Sequence, residues 1–248
     1  MSTFADHVAT LETVGLDELN DSASLQTRVD RKYLVDADVV AELLADFGGE
    51  VLDIDGRRHF GYETTYFDTE DFALYLDAAR KRPQRFKARV RRYVDSSLIM
   101  LEVKTKDRRG KTEKLRRRFV GDESDVGAAM VGFVAEILGD DAAEGLRPTL
   151  VTTFTRTTLL GADGESRFTI DHDLRGARPN GAMVDQPSVV IESKTNGPAS
   201  ALDRWLWSRG NRPAKISKYC TMLAALEPDL PSNRWHRTLQ RHFAEQAS

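Results

Sequence analysis

Residues 85–120 read RFKARVRRYVDSSLIMLEVKTKDRRGKTEKLRRRFV. Three runs within them, 85–93, 98–106 and 112–120, are separated by Asp95-Ser96-Ser97 and by Asp107-Arg108-Arg109-Gly110. Both separators carry turn-forming residues, so an antiparallel three-strand meander is predicted. Side chains along a strand alternate between faces, and residues two apart share an environment. Arg85, Lys87, Arg89 and Arg91 therefore lie together, opposite Phe86, Ala88 and Val90. In the same way Glu102, Lys104 and Lys106 oppose Leu101 and Val103, while Thr112, Lys114, Arg116 and Arg118 share a face.

A meander with its apolar face on a core and its charged face in water is the ordinary form of such a pattern. Taken strand by strand, that explanation suffices. Taken together, the strands concentrate Arg and Lys where like charges stand side by side, which destabilises a sheet. Between Arg80 and Arg118 there are 17 Lys or Arg against 4 Asp or Glu, whereas 121–144 holds only acidic charges. An anionic ligand would offset the repulsion. With a net charge of −3, no whole-molecule field favours duplex nucleic acid or an anionic membrane. A local basic surface suits a compact polyanion, and phosphate oxygens accept charge-assisted hydrogen bonds from Arg and Lys.

Outward from the meander, 28–35 and 59–67 read as strands, the second leading into a short helix from Thr69 or Glu70. A helix over 37–47 is stopped by Gly48-Gly49. Another over 126–138 carries Met130, Val131, Val134 and Ile137 on one side. Strands follow at 148–160, 166–171 and 188–195, with Ala162-Asp163-Gly164 as a hairpin turn, then helices at 200–207, 217–226 and 233–246. Leu11, Val14, Leu16 and Leu19 mark an amphipathic lead-in. At 248 residues one core is sustainable, and about eight strands in short succession indicate the α+β class: an antiparallel β-barrel tunnel of about eight strands with flanking α-helices. A barrel of roughly that size has room for side chains and one slender ligand, the shape of a linear phosphate chain.

The single cysteine, Cys220, cannot form an internal disulfide and reads as a small core residue. The first residues lack a basic, apolar leader, and no stretch approaches the ~20 apolar residues of a membrane span. A cytoplasmic protein without membrane insertion is expected. His59, His172, His236 and His242 lack metal-ligand spacing, and Trp205, Trp207 and Trp235 fall on amphipathic helices as packing anchors.

An ordered set of short motifs carries a family resemblance. Arg31-Lys32-Tyr33-Leu34-Val35, Tyr66-Phe67-Asp68-Thr69, Arg89-Val90-Arg91, Leu101-Glu102-Val103-Lys104, Ile191-Glu192-Ser193-Lys194 and Lys215-Ile216-Ser217-Lys218-Tyr219 resemble the VTC polyphosphate-polymerase domain of the triphosphate tunnel metalloenzyme superfamily. The resemblance implies a VTC-like domain over 26–226, between an N-terminal lead-in (1–25) and a C-terminal helix (227–248). It makes Lys32, Arg89, Arg91, Lys104, Lys114, Arg156, Arg167, Lys215 and Lys218 phosphate ligands, with Lys194 as a further one. Glu192 becomes the foremost ligand for Mn²⁺ or Mg²⁺, and Glu102 the second.

Two departures refine the resemblance. Relatives that act on thiamine triphosphate or make cyclic AMP open with Glu-x-Glu-x-Lys; here Arg28-Val29-Asp30-Arg31-Lys32 replaces the first acid with Arg28, which points to the VTC branch and away from a two-metal site. Phe154 stands where the family leads one to expect a Tyr, removing one hydroxyl contact. Neither a regulatory SPX region nor transmembrane helices are expected.

The implied activity is metal-dependent phosphoryl transfer with ATP, triphosphate or polyphosphate as partners, foremost as an ATP-dependent polyphosphate polymerase. Hydrolysis of tripolyphosphate or nucleoside triphosphate, or binding of polyphosphate without turnover, would use the same electrostatics. Single-stranded nucleic acid would need Tyr62, Tyr66, Phe86 and Tyr93 exposed as a stacking platform; alternation places several of them with the core, and no nucleic-acid partner is expected. Residue by residue, plainer roles compete: Lys32 as a strand-end surface lysine, Arg156 or Arg167 paired with Asp171 or Asp173, Glu192 bridged to Lys194 or Lys104, and Arg108-Arg109-Gly110-Lys111 as a solvated hairpin tip.

Overall fold

The computed structural model describes residues 3–22 and 29–243; Arg28 and the 244–246 end of the expected last helix lie outside the described residues. In chain order the elements are α1 (Phe4–Thr10), β1 (Glu12–Val14), α2 (Leu16–Ser22), β2 (Val29–Val35), α3 (Ala37–Ala45), β3 (Glu50–Leu52), β4 (Phe60–Asp68), α4 (Ala73–Ala79), β5 (Arg85–Tyr93), β6 (Leu98–Lys106) and β7 (Thr112–Arg118). They continue with α5 (Val126–Leu138), α6 (Asp140–Ala143), β8 (Arg147–Leu160), β9 (Arg167–Ala177), β10 (Met183–Gln186), β11 (Val189–Thr195), α7 (Ala201–Ser208), α8 (Lys218–Leu226) and α9 (His236–His242).

The chain forms two compact units, one of Met1–Phe60, Phe154–Leu174 and Gln186–Lys215, the other of Gly61–Thr153, Arg175–Asp185 and Ile216–Ser248. The strand order is β2-β11-β9-β8 in the first unit and β8-β4-β5-β6-β7 in the second, β8 contributing residues to both. The expected α+β class, with eight antiparallel strands and flanking helices, is observed. Among the described residues no helix is long and apolar enough to cross a membrane.

In the first unit, alternation sends Tyr33, Val35, Phe168, Ile170, Val189 and Ile191 to one face, where they pack with Val40, Leu43 and Leu44 of α3 and Leu202 and Leu206 of α7. Each such buried aliphatic or aromatic side chain contributes about 1.5–3 kcal/mol. A polar network is built into this covered side. Asp203 of α7, fully buried, accepts hydrogen bonds from Tyr33 Oη (2.6 Å), Ser193 Oγ (3.0 Å) and Ser200 Oγ (2.8 Å). Arg31 also turns this way, donating to Gly197 O at 2.7 Å. Asp30, Lys32, Glu192, Lys194, Arg167, Thr169 and Asp171 are left on the opposite face.

In the second unit the apolar side of β4, β5 and β6 (Phe67, Ala88, Val90, Ile99, Leu101 and Val103) packs against Met130, Phe133 and Val134 of α5. Helix α5 therefore covers one face of the meander, and the basic residues occupy the other. Strands β5 and β6 coincide with the runs read from alternation, and α5 with its apolar period. Strand β7 ends at Arg118, short of the expected Val120, which is 84% exposed and leaves the sheet.

Other boundaries moved for identifiable reasons. Helix α4 starts at Ala73 and not near Thr69, because Phe72 adopts a left-handed conformation (φ 60°) and Asp68 accepts the N–H groups of Leu74 (2.8 Å) and Tyr75 (2.9 Å). Strand β9 runs on to Ala177 and pairs with β10, which was not expected; Gly181, at φ 89°, forms the tight turn near Ala182 N–Asn180 Oδ1. The lead-in is two short helices around β1, and α9 begins at His236, after Trp235.

Candidate functional site

The β4–β7 register sorts the charged face of the second unit into cross-strand rows. Tyr66, Arg89, Glu102 and Arg116 form one row; Lys87, Lys104 and Lys114 form the next. Thr64, Arg91, Met100 and Arg118 lie on one side of these, and Arg85, Lys106 and Thr112 on the other. Nine cations thus share the face of β5–β7 with one carboxylate, Glu102.

Glu102 is 1% exposed. Arg89 Nε donates to its Oε2 at 2.7 Å, Arg91 Nη1 lies 3.7 Å from the same oxygen, and Lys114 Nζ contacts Oε1. Burial alone would raise its pKa, but Arg89, Arg91 and Lys114 outweigh burial and hold it down to about 2. Lys114 moves the opposite way for a lysine that is paired: burial, with the charges of Arg89 and Arg91, brings it down to about 8 despite Glu102.

Tyr66 is buried beside this cluster and stacks on Tyr219 with ring centroids 5.1 Å apart. Burial pushes its phenol up, and the charges of Arg89, Arg91, Lys218 and Lys87 more than reverse that, leaving it below the ordinary tyrosine value. Lys87 Nζ donates to Ser217 Oγ at 2.8 Å, which ties the start of α8, and with it Lys218, to the basic face. Tyr66, Lys87, Arg116 and Arg118 were not among the expected ligands. The alternation that placed Arg89 and Lys104 on the charged face marks Lys87, Arg116 and Arg118 equally, whereas the setting of Tyr66 depends on its stacking with Tyr219 of α8, a pairing far apart in sequence.

In the first unit Glu192 faces Lys32 across β11–β2 and Thr169 across β11–β9. Its carboxylate lies 3.6 Å from Lys32 Nζ and 3.8 Å from Lys194 Nζ and is 17% exposed. Lys194 opposes Arg167. Arg156 binds Asp171 through Nε–Oδ1 (2.6 Å) and Nη2–Oδ2 (2.8 Å), and its guanidinium lies 5.3 Å from the Phe154 ring. Lys215 is exposed in the segment after α7, where Ala214 N–H donates to Lys32 O at 2.7 Å.

Of the expected residues, the second unit gathers Arg89, Arg91, Glu102, Lys104, Lys114 and Lys218. The first unit gathers Lys32, Arg156, Arg167, Glu192 and Lys194. Among the described residues no three His, Cys, Asp or Glu side chains cluster to hold a metal by themselves. Mg²⁺ is commonly held by one or two carboxylates plus phosphate oxygens and water, and Glu192, partly exposed, has the chemistry for such a site. Glu102 is enclosed by three cations.

The VTC domain family model matches residues 27–227. No curated protein sequence matches the chain. Among solved structures, a Bacillus halodurans protein provisionally assigned as an adenylate cyclase aligns with a TM-score of 0.51 at 14% identity, covering 77% of this chain and 93% of its own. HpAC1 from Hippeastrum, provisionally assigned as an adenylyl cyclase and described as having a dominant triphosphatase activity, aligns with a TM-score of 0.51 at 15% identity over 84% of this chain and 100% of its own. At these identities the likeness is one of fold.

Proposed function

The chain belongs to the VTC domain family, and on that premise we propose that it is a metal-dependent phosphotransferase acting on phosphate chains, foremost an ATP-dependent polyphosphate polymerase of the cytoplasm. One observation carries this: Lys87, Lys104 and Lys114 stand in a single cross-strand row beside Arg89 and Arg91. Like charges directly opposite one another destabilise a sheet, and a bound phosphate chain converts that repulsion into charge-assisted hydrogen bonds.

Phosphoryl transfer asks mainly for in-line positioning and neutralisation of the non-bridging oxygens. In the second unit Arg89, Arg91, Lys104, Lys114 and Lys218 grip phosphate oxygens, with Glu102 fixing the orientation of Arg89, Arg91 and Lys114. In the first unit Lys32, Arg167, Lys194 and Lys215 bind phosphate, Arg156 is oriented by Asp171, and Glu192 holds Mn²⁺ or Mg²⁺. That ion, when bound, supplies Lewis-acid neutralisation of phosphate oxygens. In the proposed reaction an oxygen of the chain's terminal phosphate attacks the γ-phosphorus of ATP. The new P–O bond extends the chain as the bond to ADP breaks.

The test is incubation of purified protein with ATP and Mn²⁺, following chain growth and free phosphate together, for wild type and Lys104→Ala. Chain growth with ADP release, reduced in the variant, is expected. Free phosphate without growth would make the protein a hydrolase, and tight binding with neither product would make it a binding module.

A further inference from the structure

At the far end of the face that carries Glu102, the second unit contains a cleft of about 360 Å³ at the β6–β7 hairpin, lined by Lys81, Arg85, Lys106, Arg108, Arg109 and Arg234. Asp107 is the one carboxylate in its lining, and its Oδ1 accepts the Lys111 N–H at 2.8 Å, which shapes the hairpin. Among the described residues none of the six cations is ion-paired. Instead, Arg234 Nη1 donates to Ala78 O at 2.6 Å and Arg85 Nη1 to Arg82 O, so backbone carbonyls orient the guanidiniums and leave their charge uncancelled. Arg85 is correspondingly pushed below the ordinary arginine value, by burial first and then by Arg234, against the pull of Asp77. Lys81 is held at the cleft in a left-handed conformation (φ 56°), which is strained for a non-glycine residue. Strain of this kind concentrates at binding sites.

We propose that this cleft is a second anion site, which takes the continuing length of a linear polyphosphate whose end is engaged at the Glu102 face. The inference rests on the phosphate-chain reading above. Arg85 and Lys106 oppose each other in the β5–β6 register on the same face as Arg89 and Glu102, four residues away on each strand. That offset is about 13 Å, more than three linked phosphates span, so a triphosphate held at Glu102 does not fill the cleft and a longer chain does. None of the lining residues is aromatic, which removes the stacking platform that single-stranded nucleic acid requires.

Arg108 and Arg109 sit at the hairpin tip, outside the Glu102 cluster, so Arg108→Ser with Arg109→Ser tests the cleft alone. Affinities for tripolyphosphate and for long-chain polyphosphate are measured by calorimetry on wild type and the double variant. Wild type is expected to prefer the long chain. The variant is expected to lose about tenfold or more of long-chain affinity, as for two charge-assisted contacts, with tripolyphosphate affinity unchanged. Equal loss for both ligands, or no loss for either, overturns the second site. Wild type binding tripolyphosphate without length preference also overturns it while leaving the proposed function standing; wild type binding neither ligand sinks both.

Discussion

Arg89 faces Glu102 across β5–β6 and donates a 2.7 Å hydrogen bond to a carboxylate that is 1% exposed. The carboxylate titrates near 2 in the folded protein against an ordinary 4.5. A depressed carboxylate contributes stability above its unfolded pKa and loses it as pH falls toward the folded one. The contribution is about 3 kcal/mol, complete above pH 4.5 and fading toward pH 2. Thermal unfolding of wild type and Glu102→Gln should differ most above pH 4.5, with the gap closing in acid. A gap that stays constant with pH would mean that Glu102 is not the ion holding these cations together.

Lys114 gives a signal on the alkaline side. Its ammonium is brought down to about 8, chiefly by burial and then by Arg89 and Arg91. Phosphate needs the charged form, so tripolyphosphate affinity should fall as pH rises through 8. Lys114→Met should bind roughly tenfold to a hundredfold more weakly at neutral pH, the value of one charge-assisted hydrogen bond, and should lose this step in the pH profile. Calorimetric titrations from pH 6 to 10 check it; a variant that keeps the step places the titrating group elsewhere.

Much of this was legible in the chain because it rests on local periodicity. Period two placed Arg89, Lys104 and Lys114 on the charged faces of their strands, and the period of α5 gathered Met130 and Val134 on one side, the side that packs against the meander's apolar face. What was not legible depends on partners distant in sequence. Glu102 is expected by resemblance as a second metal ligand, and its contacts with Arg89, Arg91 and Lys114 are made only once three strands come together. Asp68 belongs to a motif, yet its carboxylate accepts from Leu74 N, Tyr75 N and Tyr219 Oη and so anchors α4 to α8. Strand β10 was missed because four residues, Met183–Gln186, carry too little pattern to announce a strand.

Arg156 and Asp171 form a two-bond fork, 14% and 1% exposed. Removing one partner strands a buried charge and costs about 3–5 kcal/mol, whereas replacing both with apolar residues is far milder. Arg156→Met should therefore lower the melting temperature by roughly 6–20 °C for a chain of this size. Adding Asp171→Leu should recover most of that loss. A double variant no more stable than the single one would show that the fork does not account for the loss.

Glu192 lies between Lys32 at 3.6 Å and Lys194 at 3.8 Å, and its two prospective roles differ in what its removal does. As a metal ligand, Glu192→Gln lowers Mn²⁺ affinity in the presence of tripolyphosphate, read as a rise in free Mn²⁺ by electron paramagnetic resonance. As a purely structural bridge, it leaves Mn²⁺ affinity alone and lowers stability by about 0–1 kcal/mol, the range for a partly exposed pair. Tripolyphosphate binding without metal separates the roles further, because losing a carboxylate beside two lysines removes repulsion toward phosphate. The variant is expected to bind metal-free tripolyphosphate at least as tightly as wild type while binding Mn²⁺ roughly tenfold more weakly, the loss of about 1.4 kcal/mol. Unchanged Mn²⁺ affinity would remove Glu192 from the metal site, whatever the turnover assay shows.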